Sequence, residues 1–219
     1  MTQTTADDLL IQLFVKAPVP GLVKTRLAAD IGDALAAEFA RLQFETLLKE
    51  LSDAFHVECW VAGDLQHPAF VSPEMRGIQC YQQQGDSLGD KMMFSVRDGL
   101  QRARQVIVIG SDCSGLNPAL LHQAHQALSE HDMVFVPADD GGFVLWGSCV
   151  DCPSIFDGVA WGETSVWHQV RVHLTAQSIN VGVLATSWDL DTMDDLRLRY
   201  EELPKPLRRF VQENALLPC

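Results

Sequence analysis

Runs of apolar residues alternate along the whole chain with stretches in which apolar residues recur at helical spacing. The run Gln105–Gly110 contains four consecutive β-branched apolar residues without alternation, which predicts a central parallel strand covered on both faces. From about Asp33 to Leu51 the apolar spacing predicts a helix. The predicted strands are Leu9–Val15, Val57–Ala62, Gly77–Tyr81, Gln105–Gly110, Met133–Val136, Phe143–Trp146 and Ile179–Leu184.

Capping residues mark the starts of several further helices. Ser87 is followed three residues later by Asp90, which is close to a capping box. Asn117 and Pro118 suit the cap and first turn of another helix. Thr192 is predicted to cap a short helix, and two more helices are expected over Val166–Leu174 and after Pro206.

Repeated alternation of strands and helices predicts a mostly parallel central sheet with helices on both faces. The sequence shows no internal repeat and no linker. The polar loop between about Gly63 and Gly77 does not divide it. We therefore expect an α/β fold: a single Rossmann-like domain that spans residues 1–219.

Composition narrows the range of partners. The formal net charge is −13, so broad binding to nucleic acid or anionic membranes is disfavoured. No apolar run is long enough to cross a bilayer, and Met1–Asp8 lacks the features of a secretory signal. We expect a cytoplasmic protein with reduced thiols, in which Cys149 and Cys152 are incidental because no second cysteine pair exists.

The loop after the first strand is basic, against the charge of the whole chain. It carries Lys16, Lys24 and Arg26 and no acid. Pro20 restricts its conformations and Gly21 lets backbone approach a ligand. Lysine and arginine at the end of a first strand suit a phosphate group, so we predict a phosphate-binding loop, with a solvated basic turn as the alternative.

Acidic residues follow three later strands. Asp112 ends the central strand, Asp140 precedes Gly141 and Gly142 in a loop that also predicts a tight reversal, and the segment near the C-terminus holds Asp189 and Asp191. Taken alone, Asp112 is better explained as the cap of a turn or helix, and Asp191 also suits the start of the helix after it. Since a parallel sheet brings such loops to one edge, we predict a divalent metal site, for Mg²⁺ or Mn²⁺, beside the basic loop. The candidate metal ligands are Asp112, Asp189 and Asp191, with Asp112 and Asp140 as candidate catalytic residues.

With these motifs, the sequence resembles bacterial transferases of the GT-A, nucleotide-diphospho-sugar transferase type, and most of all the radical-SAM/selenodomain-associated (DUF2064-like) subgroup. Five motifs in order over nearly the whole chain carry the resemblance: Phe14–Leu27, Gly85–Met92, Gly110–Leu116, Pro137–Gly147 and Asp189–Leu196.

The resemblance implies a single domain that binds a nucleotide or nucleotide sugar with Mg²⁺ or Mn²⁺. It implies that Asp112 binds the metal, that Lys24 and Arg26 contact phosphate, and that residues 140–142 lie near the acceptor or sugar. The chain departs from the family at Ser114, where proline is usual. It also departs at Phe143, where tyrosine is usual, and at Lys91, where arginine is common.

We therefore expect a metal-dependent transferase that uses a nucleotide-activated donor and a small-molecule acceptor, favouring glycosyl transfer. Nucleotidyl transfer from a nucleoside triphosphate, with release of pyrophosphate, is the alternative within the same class. A non-catalytic nucleotide-binding module is the alternative outside it. A small-molecule kinase is disfavoured, because Val23 stands where a Walker loop requires glycine before its lysine.

Overall fold

The protein is described by a computed structural model that covers residues 8–151 and 154–217. Seven strands form one sheet, in the order β3-β2-β1-β4-β6-β5-β7. The strands are β1 Leu9–Lys16, β2 Val57–Ala62, β3 Gln79–Gln82, β4 Gln105–Gly110, β5 Met133–Pro137, β6 Phe143–Ser148 and β7 Val181–Val183.

The sheet is mostly parallel. Strand β1 pairs in parallel with β2 and β4, β2 with β3, and β5 with β7. Strand β6 runs antiparallel to both of its neighbours, β4 and β5. The carboxyl ends of β1, β4 and β5 therefore meet at one edge, where the β5–β6 turn also lies.

Helices cover both faces of the sheet. In chain order they are α1 Thr25–Ile31, α2 Asp33–Ser52, α3 Pro68–Val71, α4 Leu88–Gly99, α5 Pro118–Ala127, α6 Val166–Ala176, α7 Met193–Arg199 and α8 Lys205–Glu213, with short 3-10 turns at Pro73–Met75 and Tyr200–Glu202.

Alternate side chains of β4 pack into the two main apolar clusters. Ile107 and Ile109 lie in one cluster, and Val106 and Val108 lie in the other. This confirms that β4 is a central strand covered on both faces, as its unbroken apolar run predicts.

A third apolar cluster fixes the segment that follows the basic loop. Leu27 from α1, Phe39 from α2 and Leu207 from α8 pack around Leu190, and all four are at most 1% exposed. Burial of a leucine of this kind contributes about 1.5–3 kcal/mol. The cluster therefore joins the start of the chain to the acidic segment near its end.

The predicted fold class is confirmed, and the differences lie at element boundaries. Strand β3 begins after Gly77, whose φ of +87° places it in a left-handed turn. Strand β7 is shorter than predicted because the Ile179 amide donates to the Leu174 carbonyl at the end of α6. Helices α1 and α3 were not predicted. They contain seven and four residues, which is too few for a helical spacing of apolar residues to be recognised.

Within residues 8–151 and 154–217, no helix is long and apolar enough to cross a membrane. Cys59, Cys80, Cys113 and Cys149 are free thiols. Cys152 lies outside the described residues, so the expectation for the Cys149/Cys152 pair stays a prediction.

Candidate active site

A cavity of about 400 Å³ opens at the carboxyl ends of β1 and β4. Five of the residues predicted to belong to the site line it. They are Lys16, Asp112, Asp140, Gly142 and Asp189. Outside its lining are Pro20, Gly21, Lys24, Gly141 and Asp191, in neighbouring loops, and Arg26, in the first turn of α1.

The backbone at Asp112 links the end of β4 to the C-terminal acidic segment. The amide of Leu190 donates to the carbonyl of Asp112 at 3.3 Å. Gly110 has no side chain, and a Cβ there would lie 2.6 Å from Oδ1 of Asp112, so any larger residue would displace that carboxylate. The carboxylate therefore sits directly over the end of the strand, next to Asp189.

Lys24 reaches the same place from the basic loop. Its Nζ donates to the carbonyl of Leu190. Its backbone is left-handed, with φ of 47° and ψ of 42°, a conformation that costs a lysine about 1–2 kcal/mol and that is often found at functional sites. An ammonium group has three donors, so a lysine that binds one carbonyl can still bind a phosphate.

Arg26 and Asp191 form an ion pair at the rim of the site. The guanidinium Nη1 lies 3.5 Å from Oδ2 of Asp191, and the arginine side chain is 72% exposed. An exposed pair of this kind adds little stability. The structure therefore separates the two acids of the C-terminal segment: Asp189 faces the cavity, whereas Asp191 faces Arg26.

The pKa of Asp189 is shifted because the predicted carboxylates lie close together. Burial, followed by the charges of Asp112 and Asp140, raises the pKa of Asp189 to about 6, although Lys24 opposes the shift. Burial, together with Asp112 and Asp189, raises the pKa of the Cys113 thiol well above its ordinary value. Cys113 is therefore a buried thiol whose surroundings favour the protonated form.

The Asp-Asp-Gly-Gly loop is a turn that lines the site. The Gly142 amide donates to Oδ1 of Asp140 at 2.9 Å. Gly141 has φ of +91°, and a Cβ there would lie 2.0 Å from the carbonyl oxygen of Thr164. The amide of Trp167 also donates to the Gly141 carbonyl at 2.9 Å. The loop is thus locked against the segment that precedes α6.

Two further lining residues, Gln83 and Glu163, were not assigned to the site from sequence. Glu163 and Gln83 line the cavity together with the aromatic rings of Phe143 and Trp161. Trp161 is braced by Phe143 and Phe156, with ring centroids 6.2 and 5.5 Å away. Glu163 belongs to no sequence motif. Its place at the cavity depends on the contact between Gly141 and Thr164, which brings its loop there.

The carboxylates suit a divalent cation, such as Mg²⁺, that takes only some of its ligands from the protein. In the part of the chain that the structure describes, no group of three or more histidine, cysteine or acidic side chains is close enough to hold a metal alone. Asp112 and Asp189 nevertheless share the cavity, and their mutual repulsion would be relieved by a cation. Mg²⁺ commonly binds through one or two carboxylates, with water and substrate phosphates as its other ligands.

Comparisons with solved structures identify similar folds. A crystal structure of a protein from Desulfovibrio desulfuricans G20, provisionally assigned as a nucleotide-diphospho-sugar transferase, superposes with a TM-score of 0.86 at 29% identity, covering 95% of this chain and 96% of that one. The inositol-1-phosphate CTP transferase of T. maritima superposes with a TM-score of 0.58 at 11% identity, covering 98% and 99% of the two chains.

A third similar structure is Rv0371C of Mycobacterium tuberculosis H37Rv, in complex with manganese. Its TM-score is 0.53 at 14% identity, and 89% of this chain and 99% of that one are covered. At this identity and at that of the CTP transferase, the likeness shows the fold. No curated protein sequence is significantly similar to this chain.

A sequence-family model matches residues 47–163, which is more than half of the chain, from α2 through to the loop before α6. The matched segment contains Asp112, Asp140 and the glycines of the β5–β6 turn. The chain therefore belongs to the bacterial family described as "uncharacterized protein conserved in bacteria (DUF2064)", and its fold is that of nucleotide-diphospho-sugar transferases and nucleotidyltransferases.

Proposed function

We propose that the protein transfers a group from a nucleotide-activated donor to a small-molecule acceptor, with the help of Mg²⁺ or Mn²⁺. One observation carries the proposal: Lys24, from the basic loop, bonds to Leu190, whose amide bonds in turn to Asp112. These bonds support a common site for the basic loop and the acidic segments, with Lys16 in the cavity lining and Lys24 beside it, near enough to Asp189 to affect its charge.

In this proposal Lys16 and Lys24 bind the donor phosphates, with Arg26 at the rim, and the loop with Pro20 and Gly21 shapes that side. Asp112 and Asp189 hold the divalent cation, and Asp191 pairs with Arg26. The cation, when bound, neutralises charge on the phosphates of the leaving group. Positioning and charge neutralisation account for most of the rate in such chemistry.

Asp140 is the proposed proton acceptor for the attacking group. Its carboxylate lines the cavity and is held by the Gly142 amide. Gly141 and Gly142 keep its loop close to the backbone before α6, and Glu163 and Trp161 lie on the same side. We assign this side of the cavity to the acceptor.

Glycosyl transfer from a nucleotide sugar is the favoured form of the reaction, because the Desulfovibrio desulfuricans protein at 29% identity carries a nucleotide-diphospho-sugar transferase name. Nucleotidyl transfer is the second candidate. It is favoured by the three basic residues Lys16, Lys24 and Arg26 in one loop, which suit a triphosphate, and by the shared fold with a CTP transferase.

A donor panel tests the proposal. The protein is incubated with Mg²⁺ and each of several labelled nucleoside triphosphates and nucleotide sugars, and both melting temperature and products are measured. A donor at 100 times its Kd stabilises the fold by about 2.7 kcal/mol, so true donors raise the melting temperature by several degrees. Release of a nucleoside diphosphate supports glycosyl transfer, and pyrophosphate supports nucleotidyl transfer. No shift with either donor class contradicts the proposal.

A further inference from the structure

Gln43 is a buried polar residue on the apolar face of α2, and it reaches the loop that follows β4. Its side chain is 2% exposed. Its Nε2 donates to the carbonyl of Asp112 at 2.7 Å and to Oγ of Ser114 at 2.6 Å. One amide group thus holds the loop at two points, on either side of Cys113.

The bond to Asp112 completes a chain of contacts across the site. The Asp112 carbonyl accepts from Gln43 and from the Leu190 amide, and the Leu190 carbonyl accepts from Lys24. The peptide group of Asp112 is therefore fixed from one side by α2 and from the other by the segment that carries Asp189. Its orientation determines where the Asp112 carboxylate lies.

Stability alone does not explain a glutamine at this position. The other amide atom, Oε1, is buried and has no hydrogen-bond partner among the described residues. An unsatisfied buried acceptor is costly, and an apolar side chain of similar size would avoid that cost. What an apolar side chain lacks is the pair of donated bonds to the loop.

The contact with Ser114 restrains a residue whose own backbone is not restricted. Its backbone is freer than that of a proline, whose ring would fix φ and stiffen the loop after Asp112. The hydroxyl of Ser114 is instead held by Gln43 at 2.6 Å. The loop is thus kept in place by a side-chain contact from a helix 71 residues away in sequence.

We infer that Gln43 is a positioning residue for Asp112: it orders the loop 111–116 so that the carboxylates of Asp112 and Asp189 are in place before a divalent cation binds. The inference rests on the proposed function, since the role of Asp112 in holding the cation is part of that proposal. Mutation of a residue that holds a metal-binding side chain in place typically lowers metal affinity or activity by about 10- to 100-fold.

Gln12 offers a matched control. It is 0% exposed, its Nε2 donates to Oε1 of Glu58 at 2.9 Å and to the Ser95 carbonyl at 2.7 Å, and its Oε1 also lacks a partner among residues 8–151 and 154–217. It does not line the cavity. Replacing either glutamine by methionine keeps length and flexibility while removing the same two donated bonds.

The experiment compares the full-length wild type with Gln43→Met and Gln12→Met by hydrogen exchange and by electron paramagnetic resonance of added Mn²⁺, with and without a nucleotide. Gln43→Met is expected to speed exchange of the amides in 111–116 by roughly ten-fold and to weaken Mn²⁺ affinity by about 10- to 100-fold. Gln12→Met is expected to leave both unchanged.

The inference would be overturned if the amides of 111–116 exchanged at the same rate in Gln43→Met as in the wild type. It would also be overturned if Gln12→Met lost as much Mn²⁺ affinity as Gln43→Met. Should Gln43→Met fail to fold, Ser114→Ala removes one of the two bonds and should give a smaller change confined to the same segment. A wild type that binds neither Mn²⁺ nor nucleotide contradicts the proposed function, whereas the exchange comparison still decides whether Gln43 orders the loop.

Discussion

Asp112 differs from an ordinary turn aspartate in its neighbours. It lines the cavity with Asp189, and its carbonyl is held from two sides. Asp112→Asn preserves the shape of the side chain and removes its charge. We expect turnover to fall by about 10²–10³-fold, the size of effect seen when one charge-stabilising group is lost from an active site, while the melting temperature stays close to that of the wild type.

Asp194→Asn is the control, because its side chain is 90% exposed and pairs with Arg197 on the surface of α7. It should leave turnover unchanged. Wild-type turnover in Asp112→Asn would contradict a catalytic role for Asp112. A non-catalytic nucleotide-binding module would instead show no turnover in either protein and the same nucleotide affinity in both.

For individual residues, sequence motifs identify some members of the candidate site and miss others. Lys24 and Asp112 stand out because each lies in a segment that follows a strand and belongs to a recognisable motif. Gln43 does not, because a glutamine in a helix is unremarkable until its partner, 69 residues away, is brought beside it. Glu163 is missed for the same reason. Residues whose role depends on a distant contact carry no local signal.

Two loops on the side of the cavity that we propose for the acceptor form one interlocked unit. The Gly141 position has no room for a Cβ, which would lie 2.0 Å from the Thr164 carbonyl. Gly141→Ala must therefore separate the loops as well as adopt a left-handed backbone, and we expect it to lower the free energy of unfolding by at least about 3 kcal/mol. Urea denaturation measures this change.

Gly77→Ala is the matched control. Gly77 has a similar φ of +87°, and nothing lies within 4 Å of its Cβ position. It should lose only about 1–2 kcal/mol, the cost of the backbone conformation. Equal losses in the two variants would mean that the loops do not interlock.

Helix α4, which lines the cavity with Leu88 and Met92, begins with a capping box. The amide and hydroxyl of Ser87 donate to Oδ2 of Asp90 at 2.9 and 2.7 Å, and the Asp90 amide donates back to Ser87 Oγ at 3.1 Å. These bonds lower the pKa of Asp90 below its ordinary value. The stabilisation is therefore complete above the unfolded pKa of about 4 and is lost as pH falls through the lower folded value.

We expect the wild type to exceed Asp90→Asn in free energy of unfolding at pH 7, and the difference to shrink as the pH is lowered to about 3. Urea denaturation of both proteins across this range gives the difference directly, since other carboxyl groups titrate equally in each. A difference that does not vary with pH would show that the carboxylate of Asp90 does not stabilise α4.

Elements with strong local signals are predicted well from sequence. The caps at Ser87, Asn117 and Thr192 are confirmed, each accepting from the amide three residues later. Helix α1 is missed because only Leu27 and Ala28 of its residues are buried. Its place is determined by tertiary packing against Leu190, which a local pattern does not reveal.

For the whole molecule, the fold places positive charge of an acidic chain beside the cavity. The formal net charge is −13, yet Lys16 ends the first strand and Lys24 is the N-cap residue of the helix that follows it. The third apolar cluster brings α1, α7 and α8 together around Leu190. The alternation of elements predicts that the loops meet at one edge of the sheet, but the sequence does not reveal which side chains face the cavity. Asp191 turns to Arg26, whereas Asp189 faces the cavity.

The central claim is that the basic loop and the carboxylates form one donor site. A crystal structure with Mn²⁺ and a donor nucleotide from the panel tests it most directly, because anomalous scattering locates the metal. The account predicts a Mn²⁺ peak between Asp112 and Asp189, with the phosphates bridging the metal and the side chains of Lys16 and Lys24. A nucleotide bound elsewhere, or phosphates that contact the basic loop while the metal lies away from Asp112, would contradict it.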